Sequence, residues 1–154
     1  MLLGGPASAA CGDAPAPGVN WRHCAREGAN LQGVNLRRAV LEEATFTSSN
    51  LPDADLRDVN AHRARFLAAV LEGARFDGAK LIEADFGAAR LAGASFRKAN
   101  LNRARFFNAD LRNADLSGAT IDGADFYGAD LGNALWIDGK RRCAAISIGK
   151  CSPG

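Results

Sequence analysis

Few residues in this chain are of types that do chemistry, and their spacing does not assemble a reaction centre. There are two histidines, His23 and His62, and four cysteines, Cys11, Cys24, Cys143 and Cys151. Cys11, His23 and Cys24 come nearest to a metal set, but their spacing is not that of a zinc site and a fourth ligand is lacking. His62 follows Ala61 directly, which makes it an outward imidazole on a surface and not a base held beside a nucleophile. No nucleophile elbow or phosphate-cradling loop occurs. The carboxylates are scattered at outward positions. The expectation is therefore a non-enzymatic protein with no catalytic residue, no cofactor and no metal.

The elements that carry these residues follow from one spacing. In the stretch "ADFGAARLAGASFRKANLNRARFF", Ala84 to Phe107, an alanine recurs every five residues, and a large apolar residue stands two positions after each. From Ala29 to Asp138 the chain divides into 22 such units without an insertion. Twelve of the large positions, here called centres, are Leu and seven are Phe; 19 of the 22 positions two residues earlier are Ala. The residue between is usually polar, so each unit reads small-in, polar-out, large-in, the alternation of a strand. Seven of the nine glycines in the array take the last position of a unit, where a turn needs freedom. A helix does not explain this. Five residues advance it about 500°, about 140° net, so the centres would wind around it.

A second period of twenty sets the architecture. Phe46, Phe66, Phe86, Phe106 and Phe126 form one column of centres; Leu31, Leu51, Leu71, Leu91, Leu111 and Leu131 form another. Four short sides per turn make a square solenoid. The 22 units, four to a coil, make about five and a half coils. Successive coils are expected to pair as parallel strands ~4.8 Å apart, giving a tower roughly 26 Å tall. The Phe column should face Leu36, Leu56, Phe76, Phe96, Leu116 and Trp136 across the interior.

Units such as "ANLQG", "ADLRD", "ADFGA", "ANLNR", "ADLRN" and "ADLSG" resemble the pentapeptide-repeat family, whose consensus is A(D/N)LXX. The resemblance covers residues 29–138. It implies an all-β fold, a right-handed quadrilateral parallel β-helix, and a protein that is generally not an enzyme. The best-understood members resemble DNA in shape and charge and bind DNA gyrase, giving quinolone resistance. This sequence departs from that pattern. Net charge over residues 29–138 is −2, spread as −2, +1, −1 and 0 on the walls of Leu31, Leu36, Leu41 and Phe46. A duplex mimic needs dense negative charge, on the scale of one charge per ~1.7 Å. Topoisomerase binding is thus the alternative to a scaffold or protein-interaction module, and no nucleic-acid partner is expected.

The flanks read differently. Residues 1–10 look like a signal-peptide remnant or a flexible tail, because Leu2 and Leu3 precede small residues and the triplet Ala7-Ser8-Ala9. Residues 11–28 read as an N-terminal cap with a degenerate repeat, in which Trp21 takes a centre and Arg26 stands where the Phe column needs an aromatic. Residues 139–154 read as a C-terminal cap or tail. All four cysteines lie in these flanks. A disulfide needs Cα atoms within ~7 Å, and the tower holds its ends much farther apart. Within a monomer only Cys11–Cys24 with Cys143–Cys151 can form. Such bonds point to an oxidising compartment, periplasmic or secreted. No apolar run approaches the ~18 residues needed to span a membrane.

The surface offers one distinctive wall. Before the Phe centres stand Thr45, Arg65, Asp85, Arg105 and Asp125, an alternation of charge that successive coils bring close enough to pair. After them stand Thr47, Leu67, Gly87, Phe107 and Tyr127, with Ala68 and Ala88 nearby. Leu67, Phe107 and Tyr127 form an outward apolar stripe, the candidate interface for a protein partner or a two-fold homodimer.

Overall fold

A computed structural model describes residues 11–154. The expectation for residues 1–10 lies outside the described residues.

The chain winds as the period of twenty requires. From Asn20↔Val40 to Asp115↔Leu135, every fifth residue is joined by a parallel bridge to the residue twenty positions later. The unit around Phe86 shows the local wiring. Asp85 N donates to Ala64 O of the coil below (2.9 Å); Phe86 N donates to Arg105 O (2.7 Å) and Ala88 N to Phe107 O (2.8 Å) of the coil above. Ala89 N then closes the corner on Phe86 O (3.0 Å). Only one residue per side, here Asp85, is bridged before the chain turns. The expected parallel strands are therefore a stack of one-residue bridges, because a five-residue side leaves no room for a longer ladder.

Each corner needs a left-handed residue. The seven end-of-unit glycines of residues 29–138 have φ between 64° and 72°, but fourteen non-glycine residues of the same span also occupy this conformation at φ 53–59°, among them Ala68, Ala88, Arg63, Glu83 and Arg103. Each carries a strain of about 1–2 kcal/mol for an L-residue. The inter-coil hydrogen bonds on both sides hold them there.

Inside, like stacks on like. Phe46, Phe66, Phe86 and Phe106 are fully buried and Phe126 is nearly so. Their rings lie 5.0–5.1 Å apart and within 6° of parallel. The coil rise of ~4.8 Å sets this spacing. Phe76 and Phe96 meet the column edge-on from the opposite wall at 5.6–5.8 Å, the arrangement that ring quadrupoles favour. Leu51, Leu71, Leu91, Leu111 and Leu131 are fully buried, and Leu31, at the first coil, nearly so. Where walls approach closest the side chain is alanine. Ser49, one of the three exceptions, is fully buried, and its hydroxyl donates to the Arg26 carbonyl.

The two ends are closed differently. The ladder begins at Asn20, so residues 20–28 already lie in register under residues 40–48. Trp21 is fully buried, and the Arg26 guanidinium lies 3.8 Å over its ring while donating to the carbonyls of Cys11 and Asp13. At the other end the chain reverses. Arg142 pairs antiparallel with Leu135, Ile148 with Asp130, and Pro153 with Cys143. This lid covers Leu131 through the Leu131 N–Ser147 O bond (2.8 Å) and leaves Ile121 and Trp136 half-buried.

Candidate functional site

Among the described residues no group of three His, Cys, Asp or Glu side chains is placed to hold a metal ion. His62 is half-buried on the Leu41 wall, and His23 Nδ1 lies 3.4 Å from Glu43 Oε2 at the exposed corner below Arg63. Cys11 and Cys24 have Cα atoms 5.4 Å apart and Cys143 and Cys151 4.8 Å apart, each pair at disulfide geometry.

The solenoid carries surface grooves, not a cleft. One, of about 380 Å³, is lined by Arg63, Arg65, Glu83, Asp85, Arg103 and Arg105. A second of similar volume lies on the Leu36 wall among Arg37, Arg57, Arg75, Arg97, Lys98, Asp58 and Asp77. On that wall Arg57 grips Asp55 with two bonds of 2.7 and 2.6 Å, and on the Leu31 wall Arg112 grips Asp110 with bonds of 2.8 and 2.6 Å.

These forks have a consequence for pH. The hydrogen bonds from Arg57 and Arg112 hold Asp55 and Asp110 below the ordinary aspartate range, against an opposing push from burial. A carboxyl depressed in the folded state stabilises the fold above its unfolded value, and that stability is lost as pH falls through the folded value. The melting temperature is therefore expected to hold between pH 7 and 5. It should drop below about pH 4, where unfolded aspartates protonate. Carboxyl NMR titration of Asp55 and Asp110 checks the cause; ordinary values at both would contradict it.

The Phe46 wall carries one column of charge and one uncharged band, and a second charged column stands at the corner it shares with the Leu41 wall. Of the expected ion-pair column, only Arg105–Asp85 closes, at 4.0 Å. Among the described residues neither Arg65 nor Asp125 forms an ion pair. Asp85 and Asp125 instead turn one oxygen back to their own strand, accepting from Gly87 N (3.0 Å) and Tyr127 N (2.9 Å). The better-formed column stands at the corner beside it, where Glu83 meets Arg63 at 3.0 Å and Arg103 at 3.7 Å. Sequence reasoning missed this corner column, although His23, Glu43, Arg63, Glu83 and Arg103 share the period of twenty.

The stripe is uneven. Leu67 is half-buried, and its side chain leans over Gly87, where an added Cβ would lie 2.9 Å from Leu67 Cδ2. Phe107 and Tyr127 stack on each other at 5.7 Å and stand 49% and 71% exposed. Ile146 and Ile148, on the C-terminal lid, are further exposed apolar residues that the repeat pattern did not signal.

A comparison with family models matches Pentapeptide repeats, eight copies, over residues 27–60, 69–106 and 99–135. The chain belongs to the pentapeptide-repeat family. Among solved structures it is similar to HetL, a pentapeptide repeat protein involved in heterocyst differentiation regulation from the cyanobacterium Nostoc sp. strain PCC 7120. Identity is 27% over 79% of this chain and 73% of HetL, with a TM-score of 0.54. QnrB1, a plasmid-mediated fluoroquinolone resistance protein, is 16% identical over 73% of this chain and 65% of its own, with a TM-score of 0.56, a likeness of fold alone. No curated protein matches the sequence. The pentapeptide-repeat match pauses around Ala61, the one centre with a small side chain. The coil runs through it unbroken, with bridges at Asn60↔Lys80 and Arg65↔Asp85. The repeat thus dictates the inward positions of the solenoid. The outward positions are those that the pattern leaves free.

Proposed function

We propose that the chain is a non-enzymatic protein-interaction scaffold of an oxidising compartment, periplasmic or secreted, whose contact surface is the Phe46 wall. The observation that carries this reading is the uncharged band of Thr47, Leu67, Gly87, Phe107 and Tyr127 beside the corner residues Ser48, Ala68, Ala88, Asn108 and Gly128. Stacked aromatics stand out from it into water. Aromatic side chains on a rigid backbone lose little entropy on binding and supply most of the energy where a few contacts dominate. The two cysteine pairs, within bonding distance at both ends, support the compartment. The charge pattern supports a scaffold over a duplex-like inhibitor: residues 79–98, near mid-height, carry four basic and two acidic side chains.

Phe107→Asp keeps the fold, because this side chain points away from the core, and removes one of the two stacked aromatics of the band. Affinity capture from periplasmic extract with wild-type and Phe107→Asp baits tests the reading. Proteins held by the wild type and absent from the variant support it. Identical captured sets would reduce the stripe to ordinary surface.

A further inference from the structure

We propose that the Phe46 wall receives a second copy of this chain, antiparallel to the first. The two-fold axis crosses the wall midway between the Asp85 and Arg105 rows. The proposal rests on the reading of this wall as a contact surface and names its occupant.

The argument starts from the rows. The corner column and its neighbour change sign together. Arg63 and Arg65 share one row, Glu83 and Asp85 the next, Arg103 and Arg105 the next. Charge therefore alternates up the wall with each ~4.8 Å step. Two copies of a flat wall meet face to face through a two-fold axis lying in the interface. If that axis runs across the solenoid, each column meets itself in reverse order. An axis through the Asp85 row puts Asp85 on the partner's Asp85 and Arg65 on the partner's Arg105, like against like. An axis between rows puts opposite charges together wherever both facing residues are charged.

The midpoint between the Asp85 and Arg105 rows pairs all four charged residues of the column from Arg65 to Asp125, and at the corner leaves Arg63 facing the partner's Gly123. Arg105 faces the partner's Asp85, and with the intrachain contact of 4.0 Å this makes a ring of four alternating charges. Arg103 and Glu83, 3.7 Å apart in one chain, do the same. Arg65 faces the partner's Asp125. Among the described residues these two have no ion-pair partner, and they stand three coils apart, ~14 Å, too far to find each other without the axis.

The apolar band fits the same register. Phe107, half exposed, meets the partner's Gly87 and the Leu67 side chain that leans over it, and Tyr127 meets the partner's Leu67. The neighbouring midpoint, between the Arg65 and Asp85 rows, also pairs charges. It sets Phe107 on the partner's Thr47 and Tyr127 on the partner's Glu27, however, so it wastes both aromatics. Five rows stand only ~24 Å tall, and a wall one side wide falls below the ~800 Å² per partner of a standard interface. The dimer is therefore a weak one that forms at high protein concentration.

Sedimentation equilibrium of the full chain at low salt, up to high concentration, tests this with Arg65→Asp, Asp125→Arg and both together. The wild type should show a monomer–dimer equilibrium. Each single swap sets like charges across the axis twice and should weaken association about tenfold or more, a factor worth ~1.4 kcal/mol. The double swap should restore it. Restoration can act only through the partner, since the two residues cannot reach each other within a chain. Melts of each variant confirm that these outward changes leave the fold intact. A wild type that stays monomeric, single swaps without effect, or a double swap that does not recover would each overturn the proposal. If the wild type is monomeric while Phe107→Asp still loses captured proteins, only self-association fails and the contact wall stands.

Discussion

Phe86→Ala is expected to cost about 3–5 kcal/mol of stability, the range for deleting a fully buried phenylalanine. Phe86 is 0% exposed and has aromatic neighbours on several sides. The Phe66 and Phe106 rings stack on it from below and above, both at 5.0 Å, and Phe76 and Phe96 meet its edges at 5.6 and 5.7 Å. A solenoid held at every coil by hydrogen bonds cannot close around the gap, because its rise is set by the backbone and not by the rings. Asn102→Ala changes an outward side chain on the Leu41 wall and should cost well under about 1 kcal/mol. Denaturant melts of the two variants decide. Equal losses would mean that the inward columns do not carry the stability.

Removing the cap cross-links should have the next largest effect, about 2–4 kcal/mol for each bond by loop entropy. The bonds close loops of 13 and 8 residues, short enough to constrain each cap locally. Caps matter more here than in a rounder protein. A stacked array exposes core wherever its last repeat is uncovered, and unfolding can then start from that end. Cys11→Ser with Cys24→Ser should loosen the segment whose carbonyls hold Arg26 over Trp21. Tryptophan fluorescence should then shift to the red before the array melts. Non-reducing peptide mapping should find Cys11 linked to Cys24 and Cys143 to Cys151. A link from Cys24 to Cys143 within a monomer would contradict the length of the tower. Melts unchanged by reductant would show that the caps hold without their bonds.

The weakness of the predicted dimer follows from the same rigidity that makes the wall regular. A solenoid side presents flat rows of short and long side chains on a fixed pitch, so complementarity can be repeated but not deepened into a pocket. Charge alternation then contributes mainly to register and specificity, and the aromatic pair supplies the attraction.

What the sequence determined by itself is everything the five-residue period reaches: the four-sided coil, the inward alanine and Leu/Phe columns, and the corners with their glycines. These are local. Alternation decides which way a side chain points, and one corner per five residues follows from chain geometry alone. The tertiary structure decided what depends on reach between coils. The sequence set Thr45, Arg65, Asp85, Arg105 and Asp125 in one column, but side-chain length and the pull of backbone N–H groups left only Arg105–Asp85 in contact. The better pairing went to the corner, around Glu83. Likewise the pattern placed Arg26 at an aromatic's position, and only the folded end shows a guanidinium lying flat on Trp21, bonded to carbonyls of a segment outside the repeat. The C-terminal lid, with its antiparallel return over the last coil, has no period to read. Its place is set by the edge hydrogen-bonding groups that the final coil leaves open.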